Sequence, residues 1–139
     1  MTKCMGLDLG SRTLGIATSD TLGWFASGLT TLRFEDDDYQ TALANLLPLL
    51  VEHKIDTLVL GLPKHMNGDV GIRGEVSLKF KEMVEQEVDI PVILWDERLS
   101  TVAAERLLIS QDVKRKKRKQ VIDQMAAVQI LQGYLDSKK

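Results

Sequence analysis

The sequence predicts an α/β fold in which one mixed sheet of three antiparallel strands followed by parallel strands carries helices on both faces. The first part of the chain alternates short apolar runs with turn residues. Two later apolar runs, at residues 57–62 and 91–95, are nearly continuous, which is typical of strands covered on both faces. Apolar residues at helical spacing lie between these two runs and after the second one. A chain of 139 residues is of single-domain size, so we expect residues 1–139 to form one domain.

The N-terminal residues predict a β-hairpin and a third strand. Residues 4–9 are apolar except for Asp8, and residues 10–12 favour a turn. Residues 14–18 then resume an apolar, partly β-branched pattern. A third strand at residues 27–33 would complete an antiparallel unit.

Four consecutive acids, residues 35–38, precede the first predicted helix. They could indicate a metal site, but apolar residues at helical spacing follow them directly: Leu43, Leu46, Leu47, Leu50 and Val51. Negative side chains stabilise the positive N-terminal end of a helix dipole. We therefore interpret this acidic segment as a helix start.

The second half of the chain alternates strands and helices. Residues 57–62 predict a central parallel strand, residues 63–74 a glycine-containing loop, and residues 91–95 another buried strand. The helix between the two strands is indicated by spaced residues: Val76, Phe80, Met83, Val84 and Glu87. Two further helices are expected, one capped by Ser100 or Thr101 and running through Leu108, and one at about residues 120–135.

Composition excludes several classes of function. The single cysteine, Cys4, cannot form an internal disulfide or a thiolate metal site, and the two histidines, His53 and His65, are too far apart for a local zinc motif. Any metal would therefore have oxygen ligands. No apolar run approaches the roughly 20 residues of a membrane span, and the N-terminus shows no signal-peptide pattern. We expect a cytoplasmic protein with no membrane role.

The net charge of −2 conceals a local basic run. Six consecutive cations occupy residues 114–119, while the whole chain carries 20 acidic residues. A block of this density attracts phosphate, although it is also compatible with a solvated loop. The candidate contacts to a nucleic-acid backbone are Lys114, Lys116, Lys117 and Arg118.

Asp8 is an acid within an apolar strand. An unpaired carboxylate buried there would cost several kcal/mol, so we expect Asp8 near a strand end, close to solvent or to a cation. Gly10 and Gly15 leave room for a phosphate or a metal, and Arg12 at the turn can reach an anion. The alternative is that Asp8 only caps its turn.

Two further acidic positions point to the same kind of site. Asp96, Glu97 and Arg98 follow a predicted strand, and ligands usually bind beyond the carboxyl ends of parallel strands. A salt-bridged strand exit is the alternative. Asp123 shares a helix face with Ala126 and Ala127, which suggests close packing on a polar centre, although the helix dipole alone would also favour an acid there.

Several blocks of the chain, in order, resemble the YqgF family, bacterial RNase H-like proteins described as Holliday junction resolvases and as nucleases that mature the small-subunit ribosomal RNA precursor. The resemblance covers about residues 4–135. The blocks are Met5-Gly6-Leu7-Asp8-Leu9-Gly10-Ser11-Arg12, Gly15-Ile16-Ala17, Ser19-Asp20, Gly61-Leu62-Pro63, Asn67-Gly68, Asp96-Glu97-Arg98-Leu99-Ser100-Thr101, and Ile122-Asp123 with Ala126-Ala127 and Ile130-Leu131.

The resemblance implies an RNase H-like nuclease in which Asp8, Glu97 and Asp123 form the acidic site, with Asp96 as a candidate fourth ligand. Converging carboxylates repel one another unless a cation neutralises them, and hard oxygen ligands suit Mg²⁺ or Mn²⁺. Arg12, Lys64 and Arg98 join the basic run as candidate nucleic-acid contacts.

The substrate remains open between a ribosomal RNA precursor and branched DNA. Resolving a four-way junction needs two symmetric cuts and therefore a dimer, whereas the sequence shows no obvious dimer surface. We expect a monomer or weak homodimer that processes RNA. Two other classes are a sugar kinase or ATPase, which the short chain disfavours, and a non-catalytic binding module, which the retained acids disfavour.

Overall fold

The computed structural model describes residues 3–64, 70–97 and 115–138, with side chains in the last range from Gln124 onward. The predicted helix from Ser100 or Thr101 through Leu108 lies outside these residues. The elements, in chain order, are strands and helices β1 (Cys4–Leu9), β2 (Thr13–Ser19), β3 (Ala26–Arg33), α1 (Tyr39–Glu52), β4 (Thr57–Leu62), α2 (Ile72–Glu87), β5 (Val92–Asp96) and α3 (Arg115–Ser137).

The five strands form one sheet in the order β3-β2-β1-β4-β5. Strand β2 pairs antiparallel with both β1 and β3, whereas β4 pairs parallel with β1 and with β5. The predicted fold class, three antiparallel strands followed by parallel strands, is thereby confirmed. Because β4 lies between β1 and β5, the two predicted acidic strand ends flank a common neighbour.

Apolar side chains cover both faces of the sheet. The larger buried cluster joins the sheet to α1 and α2, with Leu7, Leu46 and Phe80 among its fully buried members. The smaller cluster lies under α3 and contains Cys4, Val59, Ala127, Ile130, Leu131 and Leu135. Helices on both faces were expected from the sequence and are confirmed.

The acidic segment before α1 acts in part as a helix start. Asp38 is the N-cap of α1, and its carboxylate accepts a hydrogen bond from the Thr41 N–H at 3.3 Å. This satisfies one of the donors that the first helical turn leaves without an internal partner. Asp36, by contrast, pairs with Arg12 of the turn between β1 and β2.

Three local predictions were wrong. Helix α3 begins at Arg115 rather than near residue 120, because lysine and arginine are good helix formers and no glycine or proline interrupts them. Helix α2 begins at Ile72, so Gly74 is helical rather than part of a loop. Val51 lies on the predicted apolar stripe of α1 but is 80% exposed, because it points about 100° away from the buried Leu50.

Among the described residues, no helix combines the length and apolarity needed to cross a membrane.

Helix α3 lies very close to strand β1 at Gly6. A Cβ atom at this position would lie 2.7 Å from the Ala127 carbonyl oxygen and 2.7 Å from the Leu131 Cβ. Both neighbours are buried and cannot move aside. Only glycine therefore allows the helix to pack at this distance.

We expect Gly6→Ala to lower the free energy of unfolding by about 1–3 kcal/mol, because the added methyl group overpacks the interface between β1 and α3. The measurement is urea denaturation. Gly28→Ala is the matched control, since the nearest atom there is the Oε1 of Gln124, the end of a flexible side chain, at 2.8 Å. Equal losses in the two variants would contradict the special role of Gly6.

Candidate active site

The carboxyl ends of β1, β4 and β5 meet at one edge of the sheet because these three strands are parallel. Leu7 is level with Leu60, so Asp8 follows at the level of Gly61. Gly61 in turn is level with Trp95, and Glu97 comes two residues later. The edge therefore carries a carboxylate from the strand on each side of β4.

Asp8 and Glu97 also share a face of the sheet. Side chains alternate along a strand, so Asp8 points to the same side as Gly6, which faces α3. The Glu97 side chain lies over Gly61, with its Cγ only 2.7 Å from where a Cβ of residue 61 would be. Ile130 of α3 closes the same position at 2.6 Å. Glu97 is thus directed back across β4 toward Asp8.

The two carboxyl groups form a hydrogen-bonded pair. Burial is the largest factor that raises the pKa of Glu97, to about 9, followed by its hydrogen bond and charge repulsion with Asp8. The charge of Asp96 adds to the rise, and that of Arg73 opposes it. At neutral pH Glu97 therefore keeps its proton and is hydrogen-bonded to Asp8. The pair holds a proton because two adjacent anions with little water are unfavourable.

Asp96 ends strand β5 one residue before Glu97. Strand alternation directs it to the opposite face from Trp95, the side chain that contacts Gly133 of α3. Its charge nevertheless acts on Glu97. Direct metal ligation by Asp96 stays a prediction.

The backbone of helix α3 brings residue 123 level with Asp8. Cys4 and Leu135 share one buried cluster, and Gly6 faces Ala127 and Leu131, so the helix runs antiparallel to β1. Two residues along a strand span about 6.6 Å, and four along a helix about 6 Å. The step from Gly6 to Asp8 therefore matches the step from Ala127 to Asp123. The Asp123 side chain lies outside the described side chains.

The predicted nucleic-acid contacts divide into two groups. Arg12, at the turn after β1, is engaged by Asp36, with its Nη2 donating to the carboxylate at 2.9 Å. Lys64 lines a cavity of about 390 Å³ at the end of β4, next to the start of α2. The others lie outside what the structure describes: Arg98, Lys114, and the side chains of Lys116, Lys117 and Arg118.

Arg73 is a residue of this edge that the sequence did not single out as a site residue. It belongs to the first turn of α2, and its guanidinium donates to the Tyr39 hydroxyl at 3.2 Å and to the Leu9 carbonyl at 3.4 Å. Leu9 directly follows Asp8. The only sequence signal was a cation in a glycine-containing segment.

The carboxyl pair resembles a divalent-cation site that lacks at least one ligand. Two adjacent carboxyl groups that retain a proton at neutral pH would release it to a divalent ion, and oxygen donors of this kind suit Mg²⁺ or Mn²⁺. Among the side chains that the structure describes, no group of three histidine, cysteine, aspartate or glutamate residues comes together. The pair fits a metal provided that a further ligand completes it.

Comparison with known proteins gives a consistent picture. A family model described as RuvX, Holliday junction resolvase, matches residues 2–137. A protein of Geobacillus sp. (strain WCH70) is 56% identical over 137 residues, which cover 99% of both chains. A Bacillus licheniformis protein is 58% identical over 135 residues, 97% of both chains. Each is named "Putative pre-16S rRNA nuclease".

Two solved structures share the fold. Thermus thermophilus RuvC in complex with a Holliday junction substrate has a TM-score of 0.63 at 14% identity, over 99% of this chain and 96% of that one. The fowlpox virus Holliday junction resolvase has a TM-score of 0.61 at 13% identity, over 99% and 100%. At such identities the likeness bears on the fold alone, and it confirms the RNase H-like class.

We expect Gly61→Ala to displace Glu97 from Asp8, because the new methyl group would occupy the position of the Glu97 side chain. The pKa of Glu97 should then fall toward the usual range of a glutamate. Carboxyl-detected NMR titration measures this directly, with wild type and Gly28→Ala as references. An unchanged Glu97 titration in Gly61→Ala would contradict the contact.

A second prediction concerns the pH dependence of stability without divalent ions. Between the unfolded pKa of 4.5 and the folded value of about 9, the folded chain holds a proton on Glu97 that the unfolded chain releases. This contribution to stability is complete below pH 4.5 and is lost as the pH rises toward 9. Glu97→Gln keeps a donor for Asp8 and does not titrate, so it should exceed wild type in stability at pH 8 by about 1–3 kcal/mol.

Urea denaturation in EDTA at several pH values between 5 and 9 tests this expectation. Glu85→Gln is the control, because that glutamate forms a surface pair with Lys81 outside the site. Parallel stability profiles for wild type and Glu97→Gln would show that the carboxyl pair does not hold the extra proton.

Proposed function

The chain belongs to the RuvX family of Holliday junction resolvases, and we propose that it is a divalent-metal-dependent endonuclease that processes the small-subunit ribosomal RNA precursor. Asp8, Glu97 and Asp123 are its proposed catalytic metal ligands. We further propose that the chain acts as one domain, in the cytoplasm, as a monomer or weak homodimer.

The observation that carries this proposal is the Asp8–Glu97 pair. Its two carboxyl groups come from strands on either side of β4, lie at the edge where parallel strands usually bind ligands, and share one proton. A buried pair of this kind lowers the stability of the fold, because hydrophobic side chains would pack there without desolvating a charge. A functional role would explain why the pair is present. Binding a divalent ion is a task that uses both oxygen donors and replaces the proton.

Asp123 is proposed as the third ligand on two grounds. The α3 backbone at this residue is level with Asp8, as the contacts at Gly6 indicate. The family resemblance assigns the same residue to the acidic site. With Asp96 as a candidate fourth ligand or as a charge acting through Glu97, the set supplies the hard oxygen donors that Mg²⁺ and Mn²⁺ prefer.

A bound divalent ion would supply the Lewis acid that polarises the phosphodiester and activates a water molecule. The chain itself supplies the anchoring. Asp8 is held in a strand, and Glu97 is held between Gly61 and Ile130, so neither carboxylate needs to reorganise when a substrate binds. The proton on Glu97 leaves to solvent when a cation takes its place.

Cations around the edge are proposed to bind the substrate backbone. Arg12 would exchange its exposed partner Asp36 for a phosphate, which costs little because solvent-exposed ion pairs contribute little to stability. Lys64 follows the end of β4, and Arg98 comes two positions after β5 in the sequence. The basic run, with Lys114, Lys116, Lys117 and Arg118, would extend the contact, because residues 115–119 form the start of α3, the helix that bears Asp123.

The RNA precursor is favoured over branched DNA because full-length relatives at 56% and 58% identity carry that substrate in their names. The family description favours the second candidate, a Holliday junction resolvase. That activity needs two cuts related by symmetry and therefore a dimer, whereas one site suffices to trim an RNA.

We expect the purified chain to cut a small-subunit ribosomal RNA precursor with Mg²⁺ or Mn²⁺ and not with EDTA. Asp8→Asn, Glu97→Gln and Asp123→Asn should each reduce the rate at least about 100-fold, the scale on which one transition-state contact acts. A four-way DNA junction, assayed beside the RNA, separates the two candidate substrates.

Asp89→Asn is the matched control, because it removes the charge of an exposed acid between α2 and β5. Binding of the RNA without any cleavage would identify a non-catalytic binding module. Unimpaired cleavage by Asp123→Asn at saturating Mg²⁺ would remove that residue from the ligand set.

A further inference from the structure

Arg73 connects three parts of the chain at the edge that carries the acidic pair. It projects from the first turn of α2, and its two terminal nitrogens donate to Tyr39 of α1 and to the backbone of Leu9 in β1. The Tyr39 hydroxyl in turn donates to the Asp37 carboxylate at 2.9 Å, which fixes the hydroxyl orientation. Tyr39 also packs edge-on against Phe34 and Phe80. The guanidinium is therefore held by a rigid acceptor.

The contact to Leu9 restrains β1 on the side where β4 no longer pairs with it, while β2 still pairs with Leu9 on the other side. Pairing of β1 with β4 ends at Leu7 and Leu60, so the residues that follow extend beyond that ladder. Asp8 and Leu9 lie in this extension. On that side the Arg73 hydrogen bond to the Leu9 carbonyl holds the peptide between Leu9 and Gly10, directly after the residue that follows Asp8.

The charge of Arg73 also reaches the carboxyl pair. The half-buried guanidinium acts on Glu97 through space and opposes the effects of burial and of the neighbouring acids on its pKa. The geometry agrees, because the Leu9 carbonyl that Arg73 contacts belongs to the residue directly after Asp8. A fixed positive charge at such a position also repels any cation that binds there.

We propose that Arg73 is a positioning residue of the acidic site, which holds the end of β1 behind Asp8 and provides a fixed counter-charge to the Asp8–Glu97 pair. The inference rests on the proposed nuclease function. Two opposite effects follow from this arrangement. Loss of the guanidinium should loosen the alignment of Asp8 for catalysis, and it should also remove a charge that competes with the divalent ion.

The test compares Arg73→Gln, Arg73→Lys and the control Lys79→Gln, an exposed cation of the same helix. Isothermal titration measures Mn²⁺ affinity without nucleic acid, and cleavage of the RNA precursor gives kcat and KM. For Arg73→Gln we expect Mn²⁺ to bind about three- to tenfold more tightly, because a like charge is gone, while kcat falls about tenfold or more and KM changes little.

The variant Arg73→Lys distinguishes the effect of the positive charge from the effect of the hydrogen-bond geometry. It keeps the charge, so Mn²⁺ affinity should stay within about twofold of wild type, but an ammonium group lacks the planar fork that reaches both acceptors, so kcat should still fall. Lys79→Gln should match wild type in both measurements. Arg73→Lys also decides the question if Arg73→Gln does not fold.

A purely structural role predicts weaker Mn²⁺ binding together with slower turnover in Arg73→Gln, and that result would overturn the proposal. An increase in KM at constant kcat would do so as well, since it would indicate direct substrate contact. If wild type binds Mn²⁺ but cuts neither substrate, the nuclease proposal fails while the affinity measurements still decide the role of Arg73.

Discussion

Close packing of helix α3 on the sheet is possible only because the strands beneath it carry glycine at two positions. At Gly6 the helix backbone and Leu131 fill the space of a side chain, and at Gly61 Glu97 and Ile130 do so. A larger residue would push the helix away from the sheet at Gly6 and would displace the side chains of Glu97 and Ile130 at Gly61. The narrow space that encloses Asp8 and Glu97 would then open to water, and the electrostatics of the site would change with it.

The same packing explains why two ion contacts near this edge differ so much. The Arg12–Asp36 pair is largely exposed and can exchange partners cheaply. The Asp8–Glu97 pair lies between a sheet and a helix, where burial is the largest influence on the pKa of Glu97. There the negative charge must be balanced, whether by a proton, by the nearby guanidinium of Arg73 or by a metal ion. The burial of Asp8 and Glu97 between the sheet and α3 therefore makes positive charge favourable at this position.

The sequence was informative where a pattern is local. Alternating and continuous apolar runs predicted the five strands that the structure describes. Acids at strand ends predicted a site beyond the strands, whereas the pairing of Asp8 with Glu97 was implied by the family resemblance. The starts of α2 and α3 were misjudged because glycines and cations resemble loop composition, although Gly74 packs against Val70 and Pro63 inside a helix. Arg73 could not be found, since its partners Tyr39 and Leu9 are 34 and 64 positions away. The interest in Asp123 as a site residue depended largely on family resemblance.

The sheet order has a consequence for when the acidic pair comes into existence during synthesis. Asp8 is made long before Glu97, which follows β5, and β4 must pair on both sides before the two can approach. Bringing together two residues so far apart in the sequence is slow, and it costs chain entropy that is offset only when the whole sheet has formed. A chain that ends after β4 lacks β5, Glu97 and the part of the larger core that Phe80, Val84 and Val92 supply, so it has no carboxyl pair. Folding to completion and acquiring the site are therefore one event.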